Sequence, residues 1–282
     1  MLTHMLWERH AADTVYQEAG ELAGLPEVST ISSAQTPPMP IAVAKESHSV
    51  SRQESIEDSF SYPANSAAVD TEEGAVHADP FSNHGNPYAD ALQKMDLTPL
   101  REVNKEVLGW ILIPGVLSYP LMAGEDNHFY LEHTWKGTNS SVGAIFLDCR
   151  NSKGLDEFNA IIYGHRMNDR SMFGRLGEYA DQDFRDEYPH IYLNSDGNTR
   201  IYEVFAAYET PLPSTAYQIT FHSDIERQEF LNVCIEKSVI EGACVPTTDS
   251  RILTLSTCTG NGHDSRWVVH AVLQRSDGGA SG

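Results

Sequence analysis

The feature that most constrains this chain is a succession of short apolar runs, rich in Ile, Val, Leu, Phe and Tyr and separated by Gly, Pro, Asn and Asp. They predict strands over Gly109–Ile113, Ser118–Met122, Gly143–Asp148, Asn159–Tyr163, His190–Asn194, Arg200–Tyr208, Arg251–Thr257 and Trp267–Gln274. So many short strands would leave costly free edges in an open sheet, so the expected architecture is mainly β, a closed or nearly closed barrel. Arg200–Tyr208 is partly apolar on both faces, which predicts burial on both sides along part of its length. One long helix interrupts the series. Ser223-Asp-Ile-Glu226 is a capping box, Phe230, Leu231, Cys234, Ile235 and Val239 form its apolar stripe, and Gly242 is its expected stop.

The strands begin late. Residues 1–85 hold few large apolar side chains and many Ser, Ala, Pro and acidic ones, which predicts a disordered acidic extension or stalk. Within it, Ala12, Val15, Tyr16, Ala19 and Leu22 recur at helical spacing, and the run Pro37, Pro38, Pro40 marks a linker. Order is expected from Asn86, with a short helix through Tyr88, Leu92 and Met95. A second starts at Thr98-Pro99, with Thr98 as N-cap, and ends near Asn104. Residues 86–276 are therefore read as the one folded, functional domain and 277–282 as a tail.

The 282 residues carry 19 basic and 40 acidic side chains, a formal charge of −21. That excludes nucleic-acid binding through a basic surface and adhesion to anionic lipid. The cysteines are Cys149, Cys234, Cys244 and Cys258. None forms a CxxC pair, so a structural zinc site is not expected, and their wide spacing is unlike a disulfide framework. Cys149, Cys234 and Cys244 are read as core residues. No secretory signal is evident, and Val107–Leu117, the longest apolar run, holds Pro114 and is about half of a membrane span.

Three residues stand where predicted strands end. Asn159–Tyr163 runs into Gly164-His165, Arg251–Thr257 runs into Cys258, and Arg266 precedes the last strand. Such rims hold a side chain firmly while leaving it accessible. Together the three types supply a nucleophile, a proton carrier and a fixed cation for a developing oxyanion, which is the chemistry of acyl transfer. Taken singly, each has an ordinary explanation: a core thiol, a hydrogen-bonded turn histidine, a solvated edge charge.

The segments NKEVLGWILI (Asn104–Ile113), Tyr119-Pro120, DNHFYL (Asp126–Leu131), GAIFLD (Gly143–Asp148), NAIIYGHRMNDRSMF (Asn159–Phe173) and RILTLSTC (Arg251–Cys258), followed by Arg266, resemble the class B sortases over roughly residues 100–274. The resemblance implies an eight-stranded sortase-type barrel with N-terminal helices and one long helix before the cysteine strand. It implies a cysteine transpeptidase with Cys258 as nucleophile, His165 as general acid/base and Arg266 as oxyanion and substrate clamp. Asn168, Ser256 and Thr257 are expected at the peptide site, with Met172 and Phe173 shaping it and His263 as an alternative base. No metal or organic cofactor is implied. Expected partners are surface proteins bearing a C-terminal signal such as LPxTG or NPxTx and a peptidoglycan amine, with the enzyme acting as a monomer. The implied location is the outer face of a Gram-positive plasma membrane, with the anchor not present in this sequence. A pilin-lysine acceptor, a simple cysteine protease and a catalytically silent surface-interaction domain stay open as alternatives.

Overall fold

Strands with two buried faces need a hydrogen-bonding neighbour along each edge, and here the set closes on itself. The computed structural model describes residues 13–26, 86–259 and 264–277. Its strands are β1 (Val107–Ile113), β2 (Leu117–Met122), β3 (Ile145–Leu147), β4 (Asn159–Tyr163), β5 (His190–Ser195), β6 (Asn198–Pro211), β7 (Ile252–Cys258) and β8 (Ser265–Asp277). They form a closed barrel in the order β1-β2-β3-β4-β7-β8-β6-β5, and β5 pairs back to β1. The β2–β3 and β4–β7 pairs are parallel and the others antiparallel. Each predicted strand is present, with ends moved by up to a few residues.

Alternation along β7 and β8 separates two cores. Leu253, Leu255, Val269 and Ala271 join the large cluster that fills the barrel. Ile252, Val268 and Val272 join a second cluster with Phe230, Leu231 and Cys234. Those three belong to the long helix, Asp224–Lys237. That helix lies on the outer face and covers β6 at Phe205, Ala206 and Tyr208, and Thr199–Tyr208 is buried throughout. Its start is as expected, because the Ser223 side chain accepts from the Glu226 N–H. Its end is not: the helix stops at Lys237. Gly242 has another task, since a Cβ there would sit 2.6 Å from the Phe205 Cα.

The helices are α1 (residues 13–22), α2 (Pro87–Gln93), α3 (Thr98–Val103), α4 (Gln182–Glu187) and α5 (Asp224–Lys237). Asn86 caps α2 through its side chain. Thr98 is not the N-cap of α3; Leu97 holds that place, and Asp96 Oδ1 accepts the Thr98 N–H. No helix among the described residues is long and apolar enough to cross a membrane.

The expected disordered extension needs correction at one point. Tyr16, Ala19 and Ala23 are buried against the barrel. Trp135 Nε1 donates to the Val15 carbonyl at 2.9 Å, and the Asp96 N–H donates to the Ala23 carbonyl at 3.3 Å. A stripe of one tyrosine and two alanines has too little apolar surface to read as a packing face. Its partners are distant in the sequence, up to 127 positions away. Residues 27–85, including the predicted linker, lie outside the described residues.

Candidate active site

The site grows out of strand register. In the parallel β4–β7 pair, Tyr163 is level with Ser256. Beyond it, the Gly164 N–H donates to the Ser256 carbonyl at 3.3 Å, and the Thr257 hydroxyl donates to the Gly164 carbonyl at 2.8 Å. The pairing ends there; His165 is the second residue past Tyr163, as Cys258 is the second past Ser256. Across the antiparallel β7–β8 pair, Cys258 is directly opposite Arg266. Cross-strand neighbours project to the same face of a sheet. Thiol and guanidinium therefore share the outer face, beyond the part that α5 covers, and the imidazole leaves β4 at the same end of the barrel.

Each is held without being sealed. His165, Cys258 and Arg266 are all half-buried. His165 Nε2 lies 2.7 Å from the Leu131 carbonyl oxygen. A carbonyl only accepts, so Nε2 carries the proton in the neutral ring and Nδ1 is the nitrogen left to exchange one. Arg266 Nη1 donates to the Ser265 carbonyl at 2.9 Å, which anchors the guanidinium at the edge of the site.

One residue at this face was not anticipated. The Tyr217 hydroxyl lies 2.9 Å from Ser256 Oγ, and its ring stacks on Tyr163 with centroids 6.2 Å apart. Burial raises the Tyr217 phenol, while the Ser256 hydrogen bond and the Arg266 guanidinium oppose that rise and Cys258 adds to it. Ser256 lies two residues before Cys258 on the same strand, so Tyr217 sits at the cysteine end of β7. Its turn is fixed from below by Asn159, whose Nδ2 donates to the Ala216 and Gln218 carbonyls at 3.2 and 2.8 Å. Asn159 Oδ1 in turn accepts from Thr254, and Thr254 Oγ1 lies 2.9 Å from Nδ1 of buried His270. Burial pushes His270 down to about 3, so it is a neutral structural link here. No spacing pattern in the sequence connects Tyr217 to the cysteine.

The tyrosine layer continues outward. The Tyr163 hydroxyl donates to Asp148 at 2.8 Å. Burial would raise the Asp148 carboxyl, but hydrogen bonds from Arg150, Asn127 and Tyr163 outweigh it and bring the group to about 2.

The remaining expected residues divide. Asn168 is exposed in the turn closed by the Arg166–Met172 bridge, and Met172 and Phe173 are buried behind His165. Ser256 and Thr257 do not offer open hydroxyls to a peptide. Ser256 is buried under Tyr217, and Thr257, one residue from Cys258 and so on the opposite face, is buried and bonded to Gly164. His263 lies outside the described residues. Among the other thiols, Cys234 is buried and Cys244 half-buried, and burial pushes both up to about 12. Cys149 is exposed rather than in the core, because it follows Asp148 into a surface turn.

Known proteins are similar to this chain in sequence and fold. The Sortase domain family model matches residues 116–274, more than half of the chain. Sortase B of Listeria monocytogenes is 34% identical over 164 residues, which are 58% of this chain and 67% of that protein. Sortase B of Staphylococcus aureus is 35% identical over 160 residues, 56% of this chain and 66% of that protein. The chain therefore spans about two thirds of the length of these curated relatives. The structure of a Staphylococcus aureus sortase B–substrate complex superposes with a TM-score of 0.60 at 34% identity, covering 64% of this chain and 84% of that one. With a matching family profile, a closed eight-stranded barrel and a cysteine at the end of β7, the chain belongs to the sortase family of cysteine transpeptidases, in class B.

Proposed function

We propose that this chain cleaves a C-terminal sorting signal of the LPxTG or NPxTx type through a thioester on Cys258 and transfers the acyl group to a peptidoglycan amine. This would take place at the outer face of a Gram-positive plasma membrane. The observation that carries the reading is the convergence of His165, Cys258 and Arg266 on one end of the barrel, from the ends of β4, β7 and β8, with Cys258 and Arg266 directly opposed.

In this reading the Cys258 thiolate attacks the threonine carbonyl carbon of the signal, and the carbonyl oxygen takes up the electron pair. Arg266 donates to that oxyanion; its planar fork can satisfy two acceptors at once. As the carbonyl re-forms, the C–N bond breaks and the departing amine takes the proton from His165 Nδ1. The acceptor amine then attacks the thioester, its surplus proton passes to His165, and Cys258 leaves as thiolate. An open groove of about 590 Å³ lined by Arg150, Leu212, Pro213, Ser214, Tyr217 and Gln218 borders Tyr217. It offers space for signal residues ahead of the scissile bond.

The test is incubation with a sorting peptide in the presence and absence of an amine acceptor. Transpeptidation predicts an amide product that grows with amine concentration and vanishes in Cys258→Ala. Hydrolysis unaffected by amine would leave a cysteine protease, and a polymer ladder with a pilin substrate would move the acceptor to lysine. With neither cleavage nor adduct, the domain would be an interaction module.

A further inference from the structure

We propose that Tyr16 of α1 is a positioning residue for His165, so that the N-terminal helix is part of the machinery that sets the catalytic imidazole. The proposal rests on the reading of His165 as the proton carrier. Two separate contact paths lead from the Tyr16 side chain to the two sides of His165.

The first path runs through Gly143. The buried Tyr16 hydroxyl donates to the Gly143 carbonyl, across 127 positions of sequence. Gly143 has φ +65°, and a Cβ there would lie 2.9 Å from His165 Cδ2 and 2.9 Å from the Leu131 carbonyl oxygen. That oxygen is the acceptor that fixes the His165 Nε2 proton. Gly143 therefore packs directly against both the imidazole and the group that sets its tautomer, and Tyr16 holds Gly143 from behind. Tautomer and ring orientation decide which nitrogen faces the thiol.

The second path runs through the ring. Tyr16 meets Tyr119 edge to face, with centroids 5.2 Å apart. The Tyr119 hydroxyl accepts the Met172 N–H at 3.1 Å. Met172 has φ +51° and closes the turn that leaves His165. The next residue, Phe173, donates its N–H to the His165 carbonyl at 3.0 Å. Its ring packs so closely on Gly164 that a Cβ there would lie 2.8 Å from Phe173 Cγ. One tyrosine thus touches the support of the ring and, at one remove, the support of the backbone.

The other α1 anchors serve as controls. Glu18 pairs with Lys136 on the surface and takes no part in either path. Its substitution removes a surface ion pair and leaves the Tyr16 hydroxyl and ring in place.

The experiment compares Tyr16→Phe and Glu18→Gln in the full chain. Tyr16→Phe keeps the ring against Tyr119 and removes only the hydroxyl. The expected result is a fall in kcat of roughly tenfold, since small misplacements of a reacting group are costly. KM for the sorting peptide should stay within about twofold, and the melting temperature within about 3 °C. Glu18→Gln should leave kcat within about twofold. Ring ¹⁵N shifts of His165 should show the Nε2–H tautomer losing population in Tyr16→Phe alone. This arm needs no turnover. If the wild-type chain forms no acyl adduct on Cys258, the transpeptidase reading fails while the ring shifts still decide the role of Tyr16. Unchanged kcat and ring shifts in Tyr16→Phe would overturn the proposal. So would equal losses in both variants, or a Tyr16→Phe chain that does not fold, because the hydroxyl would then support the barrel in general.

Discussion

Strands β7 and β8 present one outer face with two different ends. At one end, Ile252, Thr254, Val268, His270 and Val272 lie among residues of the α5 layer and are sealed from water. At the other, Cys258 and Arg266 are left half-open. The same strands, a few residues apart, are sealed at one end and left accessible at the other. The covered end fixes register, and register alone brings Cys258 opposite Arg266. Scaffold and site are thus separable: substitutions under α5 should cost stability, and substitutions at the open end should cost rate.

The sharpest way to break this division is at Phe230, which is 3% exposed in the α5 cluster. Phe230→Ala should lose about 3–5 kcal/mol in urea unfolding. Acylation per folded molecule should change little, and a large rate loss without unfolding would merge the two regions. At the open end, Arg266→Lys keeps the charge but not the fork. It should slow single-turnover acylation by about 100- to 1,000-fold, with thermal stability unchanged. A loss below about tenfold would reduce Arg266 to a source of positive potential.

Asp148 supports the tyrosine layer of the open end and gives a pH test. Its folded carboxyl lies below the ordinary 3.8, at about 2. The stability it contributes is therefore present above pH 3.8 and is lost as pH falls through 2. The gap between wild type and Asp148→Asn should narrow by about 2 kcal/mol between pH 5 and pH 2. A gap that does not change with pH would mean that the charged form is not what the network stabilises. The smallest effect is expected at the cap of α5. Ser223→Ala should cost about 1 kcal/mol and leave the acylation rate alone.

The barrel was readable because its strands are short, separated by turn residues and strongly apolar. The long helix was readable because Ser223 and Glu226 mark its start locally. What the sequence hid was anything set by distant contact. The Gly242 backbone approaches Phe205, so its glycine reads as a helix stop when it is a packing requirement. Tyr16, Ala19 and Ala23 show helical spacing, but nothing nearby reveals that Trp135 and Gly143 receive them. At the site, the strand-end pattern marked His165, Cys258 and Arg266. It could not say that Thr257 faces away, that Tyr217 covers Ser256, or that a backbone carbonyl of Leu131 fixes the imidazole tautomer. Those depend on the side-chain and main-chain geometry of segments far apart in the chain.

The account turns on Cys258 as the nucleophile, and mass spectrometry of the intact protein incubated with a sorting peptide tests it most directly. The predicted result is one acyl adduct, mapped to Cys258, removed by hydroxylamine and absent in Cys258→Ala. It should persist when Cys149, Cys234 and Cys244 are each replaced by Ala. An adduct on exposed Cys149, or one that survives Cys258→Ala, would contradict it.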